Sequence, residues 1–266
     1  MERAEIAHKL HDAKRVVVKV GTSSLTYSNG KLHIHSIELL VRQLADLKNS
    51  GKELLLVSSG AVGAGLGKLD LPTKPKDLPK VAALAAIGQG ILLQNYEKFF
   101  GEYGVNVAQV LLIKEDFEDE ERYANVCNTL SELFAYGVVP IINENDATAF
   151  RELVVGDNDT LSALVAAAVQ ADLLILLSDI DGMYTADPRT DADAKLLPVV
   201  EAITPEIEAG AGGSGTNLAT GGMMTKVNAA KIATAAGIPM ALANSAEPDV
   251  LLRLMDGEAL GTVFLP

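Results

Sequence analysis

Arg15-Val16-Val17-Val18-Lys19-Val20 is an apolar run with one internal lysine, and the turn-forming stretch Gly21-Thr22-Ser23-Ser24 follows it directly. Continuous apolar runs of this length are typical of strands that are buried on both faces of a parallel sheet. Similar runs along the chain are also predicted to be strands: Glu53–Ser58, Asn106–Ile113, Val138–Asn143, Leu173–Ser178 and Met240–Ala243. Their recurrence predicts a mainly parallel sheet at the centre of the fold.

Helical patterns separate these strands. They are Ser36–Asn49, Leu78–Phe100, Glu120–Tyr136, Thr160–Gln170 and Met223–Ala236. Strands that alternate with helices predict βαβ units, in which helices cover both faces of the sheet. We therefore expect an α/β protein with a three-layer α/β/α sandwich. No low-complexity linker interrupts the chain, so residues 1–266 are predicted to form a single domain.

Bulk composition narrows the classes of protein to which the chain can belong. The 266 residues carry a formal net charge of −13, which argues against nucleic-acid binding. The apolar runs are too short to span a bilayer, and residues 1–14 lack an apolar signal segment. Cys127 is the single cysteine, which excludes an intrachain disulfide and fits a reducing compartment. We expect a cytoplasmic protein that associates with neither membranes nor nucleic acid.

A glycine turn in the last quarter of the chain is suited to phosphate. The stretch Thr220-Gly221-Gly222-Met223-Met224-Thr225-Lys226 leads directly into a helical pattern. Glycines let backbone N–H groups approach an anion closely, and a helix N-terminus adds unpaired N–H groups and a positive dipole end. Lys226 adds a full charge. This stretch matches neither the P-loop nor the dinucleotide fingerprint, so any nucleotide site belongs to another class.

Lys19 offers a second cation beside a polar turn. One interpretation is a strand edge from which the lysine side chain reaches water. The other is a buried lysine, which requires a partner because an unpaired buried charge is costly. The turn at Gly21–Ser24 favours contact with phosphate. Lys19 and Lys226 together suggest that a phosphate chain is held from two sides.

Two polar tetrads, Asn143-Glu144-Asn145-Asp146 and Gly156-Asp157-Asn158-Asp159, are dense in side-chain oxygens. Asp157 or Asn158 can serve simply as a helix cap. Because the carboxyl ends of parallel strands are where ligands gather, the tetrads also suggest a site. Asp146 can hold an ammonium group of a ligand, and Asp159 can hold the ammonium groups of lysines in position.

The absence of certain residues also limits the types of reaction that the chain could catalyse. No Gly-x-Ser-x-Gly elbow occurs, and no histidine lies near the tetrads to act as a base. Phosphoryl transfer to a carboxylate needs no base, because the acceptor is already ionised. It needs positioning, charge neutralisation and Mg²⁺ on the phosphates.

Several long segments together resemble, in order, those of the glutamate 5-kinases of the amino acid kinase family. They are Val17-Val18-Lys19-Val20-Gly21-Thr22-Ser23, Val57-Ser58-Ser59-Gly60-Ala61, Pro140-Ile141-Ile142-Asn143-Glu144-Asn145-Asp146, Gly156-Asp157-Asn158-Asp159, Asp181-Gly182-Met183-Tyr184-Thr185-Ala186-Asp187-Pro188-Arg189 and Thr220-Gly221-Gly222-Met223. The resemblance implies the amino acid kinase fold. It also implies ATP-dependent phosphorylation of the side-chain carboxylate of L-glutamate to L-glutamyl 5-phosphate, the first step of proline biosynthesis.

The resemblance also implies roles for individual residues. Catalysis would depend on Lys19, Lys226 and Asp159. Glutamate would be bound by Ser59, Asp146 and Asn158. ATP would be bound by Lys19, Ser178, Asp179, Thr220, Gly221, Gly222, Met223, Met224, Thr225 and Lys226. The acceptor-binding part would span roughly residues 1–172 and the ATP-binding part roughly residues 173–266.

The family resemblance extends to cofactors and partners. It implies Mg²⁺ held mainly by the ATP phosphates, a homo-oligomer, feedback inhibition by proline, and a possible transient contact with the reductase that takes the acyl phosphate. Many relatives carry an additional C-terminal PUA domain. This sequence, which ends at Pro266, is expected to represent the form without it.

Two alternatives to a glutamate kinase stay open. A sister kinase would act on acetylglutamate, aspartate, carbamate or a nucleoside monophosphate. Asp146 favours an acceptor with a free ammonium group, which acetylglutamate and carbamate lack. The other alternative is a sensor of amino acids or nucleotides without catalytic activity, which would not need Lys19, Asp159 and Lys226 together.

Overall fold

A computed structural model of the chain describes residues 3–148, 158–191, 193–211 and 222–266. Within these ranges the helices are α1 (Arg3–Asp12), α2 (Thr22–Leu25), α3 (Ile34–Asn49), α4 (Ala61–Lys68), α5 (Leu78–Glu102), α6 (Glu115–Glu118), α7 (Glu120–Ala135), α8 (Asn158–Ala168), α9 (Pro205–Ala211), α10 (Met223–Ala235) and α11 (Val250–Met255). The strands are β1 (Arg15–Val20), β2 (Glu53–Ser58), β3 (Val107–Leu112), β4 (Val139–Glu144), β5 (Leu173–Ser178), β6 (Val199–Val200), β7 (Met240–Asn244) and β8 (Thr262–Phe264).

Every strand and helix predicted from the apolar patterns is present, and the ends differ by no more than two residues. The patterns did not reveal the helices α1, α2, α4, α6, α9 and α11 or the short strands β6 and β8. Helix α4 is the most instructive omission, because its sequence AVGAGLGK contains three glycines. Glycine disfavours a helix on propensity alone, so tertiary packing must stabilise this one.

The chain separates into two compact units, one made of Met1–Lys19 with Gly156–Pro266 and the other of Val20–Val155. In the 20–155 unit the strands lie in the order β3-β4-β2 and all pair in parallel. Every residue of β4 is buried, which means that both faces of this strand are covered. Helices α3, α5 and α7 contact β2, β3 and β4 respectively.

Glycines allow α4 and α5 to cross at unusually close range. A methyl group added at Gly65 would overlap the carbonyl oxygen of Leu84, and one added at Gly88 would overlap the carbonyl oxygen of Ala61. Helix backbones approach this closely only where no Cβ intervenes. The crossing therefore explains how a glycine-rich segment becomes helical. It also anchors Ala61, the first residue of α4, directly after the Ser59-Gly60 turn.

The unit formed by the two ends of the chain contains β1, β5, β7, β8 and β6 in that order. Strand β5 pairs with β7 in parallel, while β7 and β8 pair antiparallel. Helices α8 and α10 pack against each other, and they contact β5 and β7 respectively. All six residues of β5 are buried. The predicted α/β class with a mainly parallel sheet covered on both faces is confirmed. The exceptions are β8, which runs antiparallel to β7, and β6, which pairs in parallel with β8.

Candidate active site

Three charged side chains predicted to act together meet in the unit formed by the chain ends. The ammonium nitrogen Nζ of Lys19 lies 2.5 Å from Oδ1 of Asp159. Nζ of Lys226 lies 3.1 Å from the other oxygen, Oδ2, of the same carboxylate. The three side chains are between 1% and 9% exposed. The structure thus brings two lysines onto opposite oxygens of one buried carboxylate.

Each of these side chains is held by a different element. Lys19 is the penultimate residue of β1, in a strand whose last five residues are buried. Asp159 lies in the first turn of α8, and Lys226 lies in the first turn of α10. Because α8 and α10 pack together, their N-terminal turns lie side by side. The alternative in which Lys19 reaches water from a strand edge is wrong, since this residue is only 7% exposed.

The two lysines dominate the electrostatics of Asp159. Burial by itself would raise the pKa of this carboxyl group, but the charges of Lys19 and Lys226 outweigh it. Hydrogen bonds from Lys19 and Thr225 act in the same direction as the charges. The pKa of Asp159 therefore lies below its ordinary value, and the group is ionised at neutral pH. One negative charge between two positive ones leaves a net positive centre in an acidic protein, as binding of an anion requires.

Replacing Asp159 by asparagine is expected to lower the free energy of unfolding by about 3 kcal/mol or more at pH 7, because two buried ammonium groups lose their counter-charge. A carboxyl group whose pKa is lower in the folded protein than its ordinary value of 3.8 stabilises the fold above that pH. The stabilisation is lost as the pH falls through the folded-state pKa. Urea unfolding of both proteins should therefore show a difference that shrinks only at acid pH.

The matched control for this prediction is Asp187→Asn. Hydrogen bonds from Arg189 also lower the pKa of Asp187, but this ion pair is exposed. Exposed pairs contribute little to stability, so this variant should unfold like the wild type throughout. A difference between wild type and Asp159→Asn that stays constant down to acid pH would contradict the assignment of the charge to Asp159.

A hydroxyl group that sequence reasoning did not connect with Asp159 completes this cluster. Oγ1 of Thr225 lies 2.7 Å from Oδ2 of Asp159, the oxygen that Lys226 also contacts. The expected role of Thr225 was ATP binding. No local signal in the sequence linked this hydroxyl to Asp159, because the two residues are 66 positions apart.

The carboxyl ends of β5 and β7 present polar groups in the same unit. Ser178 is buried and donates from Oγ to Oδ1 of Asp179 at 3.1 Å, while Asp179 is exposed. Ser178 pairs in register with Asn244 of β7. Asn244 donates from Nδ2 to Oδ1 of Asp181 at 2.8 Å. Asn244 was missed because the predicted strand stopped one residue earlier, at Ala243.

The glycine turn is described only in part. Gly222 precedes α10 as its N-cap residue with an extended backbone, and the first turn consists of Met223, Met224, Thr225 and Lys226. Met224 is 37% exposed. Thr220 and Gly221 lie outside the described residues, as do Gly156 and Asp157 of the second tetrad. Asn158 lies inside α8.

In the 20–155 unit, Ser59 lies between β2 and α4. It is half-buried, and its backbone N–H donates to the carbonyl oxygen of Val20 at 3.1 Å. Gly60 follows with φ of +97°, a conformation that side chains with a Cβ rarely adopt. Ser58, directly before, is buried and its hydroxyl lies 2.8 Å from that of Tyr96 on α5. These contacts give the Ser59 turn a defined shape.

Asp146 lies in the turn after β4, beside a small cavity of about 30 Å³ that Gln89, Glu144 and Asn145 also line. Burial raises the pKa of Asp146, and the charge of Lys74 partly offsets this effect. Nδ2 of Asn143 donates to Oε1 of Gln89 at 2.8 Å. The sequence pointed to Asn143 through its tetrad, but Gln89 on α5 carried no local signal.

Comparisons with known proteins show the family to which the chain belongs. The model of the family described as "Amino acid kinase family" matches residues 14–244. A glutamate 5-kinase from Clostridium tetani is 57% identical over 255 residues, which are 96% of this chain and 96% of that protein. A glutamate 5-kinase from Caldanaerobacter subterraneus subsp. tengcongensis is 56% identical over 252 residues, which are 95% of this chain and 68% of that protein.

Solved structures with low sequence identity share the fold. The UMP kinase from Bacillus anthracis has a TM-score of 0.63 at 15% identity, with coverage of 95% of this chain and 96% of that one. The isopentenyl phosphate kinase from T. acidophilum has a TM-score of 0.66 at 17% identity, with coverage of 94% and 99%. Because the family model spans most of the sequence and curated relatives match over nearly all of it, the chain belongs to the amino acid kinase family.

Proposed function

We propose that this chain transfers the γ-phosphoryl group of ATP to the side-chain carboxylate of L-glutamate, giving L-glutamyl 5-phosphate and ADP, the first step of proline biosynthesis. The observation that carries the proposal is the pair of lysines, Lys19 and Lys226, held on the two oxygens of the buried Asp159. Curated relatives that are 50–57% identical carry the name glutamate 5-kinase, which supports glutamate as the acceptor.

The reaction depends more on stabilising negative charge on the phosphates than on proton transfer. An oxygen of the glutamate carboxylate forms a bond to the γ-phosphorus, and the bond from that phosphorus to the β–γ bridging oxygen breaks. The electron pair of that bond leaves with ADP. Negative charge is spread over the transferring group and the leaving oxygens in the transition state. The ammonium groups of Lys19 and Lys226 stabilise this charge, and Asp159 keeps them in place.

Magnesium enters the reaction as part of the substrate. Among the residues that the structure describes, no group of three or more His, Cys, Asp or Glu side chains is arranged to hold a metal ion. Phosphate oxygens are strong Mg²⁺ ligands, and this ion often keeps only one or two protein carboxylates. We therefore propose that Mg²⁺ arrives on the β- and γ-phosphates of ATP and neutralises part of their charge.

The acceptor is proposed to bind through Ser59, Asp146 and Asn158. The carboxylate of Asp146 pairs with the α-ammonium group of glutamate, which is the group that separates glutamate from acetylglutamate and carbamate. ATP is proposed to bind at Ser178, Asp179 and the turn from Thr220 to Lys226. We further propose that roughly residues 1–172 bind the acceptor and roughly residues 173–266 bind ATP.

Coupled measurement of ADP release tests the function directly. The purified chain is assayed with Mg²⁺-ATP and, in turn, L-glutamate, N-acetylglutamate, L-aspartate, carbamate and UMP. L-Glutamate is expected to give the highest kcat/KM, and trapping with hydroxylamine should detect the acyl phosphate. A higher kcat/KM with any other acceptor would replace the proposed substrate. Glutamate binding without any turnover would favour the sensor alternative.

Asp146→Asn is expected to raise the KM for glutamate about tenfold or more, because a charge-assisted contact with the ammonium group is lost. In the wild type this KM should rise as the pH falls. Since burial raises the pKa of Asp146 above 3.8, the rise should begin at a higher pH than for an ordinary aspartate. Initial rates across pH for both proteins measure this.

Lys74→Gln is the matched control for that prediction. The charge of Lys74 lowers the pKa of Asp146, so its removal should move the rise in KM to still higher pH. If Asp146→Asn kept the pH profile of the wild type, Asp146 would not be the group that binds the ammonium of glutamate.

Other family properties remain proposals for this chain: a homo-oligomeric state, inhibition by proline, a transient contact with the following reductase and a cytoplasmic location. Gel filtration, assays with added proline and pull-down with the reductase would test the first three. In the part of the chain that the structure describes, no helix is both long enough and apolar enough to cross a bilayer.

A further inference from the structure

The hydroxyl group of Thr225 occupies a defined place beside Asp159. The two oxygens of Asp159 are shared unequally, since Oδ1 faces Lys19 while Oδ2 faces both Lys226 and Thr225. The distance from Oδ2 to the hydroxyl is 2.7 Å, shorter than its 3.1 Å distance to Nζ of Lys226. The side chain of Asp159 is 1% exposed, so these protein groups replace water around it.

The direction of this hydrogen bond follows from the ionisation of Asp159. An ionised carboxylate can only accept, so Thr225 must donate. The same hydroxyl oxygen lies 2.8 Å from the carbonyl oxygen of Gly222, which is a second acceptor for a single proton. The backbone N–H of Thr225 also donates to that carbonyl, at 3.2 Å. Gly222 therefore keeps a donor when the hydroxyl turns to Asp159.

The charge on Asp159 decides between the two acceptors. Hydrogen bonds to an ionised group are about twice as strong as those between neutral groups. The hydroxyl is therefore expected to donate mainly to Asp159. In this arrangement Thr225 ties the first turn of α10 to the carboxylate at the start of α8, in addition to the link through Lys226.

We propose that Thr225 is a positioning residue, whose hydroxyl holds the Asp159 carboxylate in the orientation that keeps Lys19 and Lys226 correctly spaced for phosphoryl transfer. The proposal rests on the proposed kinase function and adds a residue whose side chain acts through Asp159. Without the hydroxyl, Oδ2 keeps Lys226 as a neighbour but loses a donor in a nearly water-free place. The carboxylate can then rotate, and both ammonium groups move with it.

The hydroxyl also affects the charge state of Asp159. Charged groups face this carboxyl from two elements, Lys19 from β1 and Lys226 from α10, and both lower its pKa, as does the hydrogen bond from Thr225. Removing the hydroxyl should therefore raise the pKa of Asp159, although it should stay ionised at neutral pH. A residue with a purely structural role would not produce this shift.

Thr225→Val tests the proposal because valine keeps the shape and removes the hydroxyl, while Thr225→Ser is the matched control that restores it. Thr225 is half-buried at a helix start, where valine can be accommodated. The valine variant is expected to lose about tenfold in kcat, equivalent to one hydrogen bond, with KM for ATP and for glutamate changed less than about threefold. The serine variant should regain most of the loss.

A measurement without substrates separates this proposal from the kinase function. Carbon-13 NMR titration of the Asp159 carboxyl in the ligand-free protein should show a higher pKa in Thr225→Val than in the wild type and in Thr225→Ser. Absence of kinase activity in the wild type would refute the proposed kinase function. The titration would still decide whether the hydroxyl group of Thr225 acts on Asp159. Unchanged titration, a serine variant as impaired as the valine variant, or a loss confined to KM for ATP would overturn the proposal. If the valine variant failed to fold, Thr225→Ala would be titrated in its place.

Discussion

Lys226→Ala is expected to lower kcat by about 10³-fold while leaving the affinity for glutamate nearly unchanged. The ammonium group of Lys226 is buried and held by Asp159, so it is fixed before the reaction begins. Fixed charges that face developing negative charge in a water-poor site are worth about 10²–10³-fold each, and cationic groups in phosphoryl transfer can be worth more. Because glutamate does not need this charge for binding, calorimetry should find a similar Kd.

Lys231→Ala is the control from the same helix. Lys231 pairs with Glu208 on the surface, at 2.7 Å and with 41% of its side chain exposed. Its removal should leave kcat within about twofold, because exposed ion pairs contribute little. Wild-type turnover in Lys226→Ala would show that Lys226 has no catalytic role. A loss that appears only as weaker glutamate binding would place Lys226 in the acceptor site instead.

Gly88→Ala is expected to destabilise the protein by at least about 3 kcal/mol. A methyl group at this position would overlap the backbone oxygen of Ala61, and a backbone atom in a helix cannot move away as a flexible side chain can. The α4–α5 crossing would have to open, which would also displace the Ser59-Gly60 turn at the start of α4. Urea unfolding should show a lower midpoint, and KM for glutamate should rise in the folded fraction.

Gly90→Ala is the matched control on α5. A Cβ at Gly90 meets no atom within 4 Å, so this substitution should stabilise the protein by about 0.5–1 kcal/mol through helix propensity alone. Opposite signs at two glycines in the same helix separate packing from propensity. Stabilisation by both substitutions would mean that α4 and α5 do not approach as closely as described.

The elements of the fold could be predicted where the signal is local. Continuous apolar strands such as Val139–Glu144 and the long helix Leu78–Glu102 were recognised because burial imposes a repeating pattern on neighbouring residues. Helix α4 could not be predicted, because its glycines disfavour a helix until α5 packs against it. Strands β6 and β8, with only two and three residues, are too short to carry a pattern.

For the candidate site, too, the sequence predicted some of the residues, while other contacts became visible only in the structure. Lys19, Asp159 and Lys226 were identified from residue type and from their place beside turns, and the resemblance to a known family pointed to the same residues. The contacts of Thr225 with Asp159 and of Gln89 with Asn143 were not predicted. Both contacts join segments that are far apart in sequence. A single threonine or glutamine on a helix has no sequence pattern from which its hydrogen-bond partner could be predicted.

The order of the apolar strands and helices along the chain was enough to determine a parallel α/β protein with cationic residues beside phosphate-type turns, because periodicity and residue type are properties of the sequence itself. Only the tertiary structure decided that β1, α8 and α10 place Lys19, Asp159 and Lys226 in one buried cluster, with a threonine hydroxyl on the shared carboxylate. Distances between distant segments depend on how whole elements pack, and packing depends on the combined shapes of many side chains rather than on any one stretch of sequence.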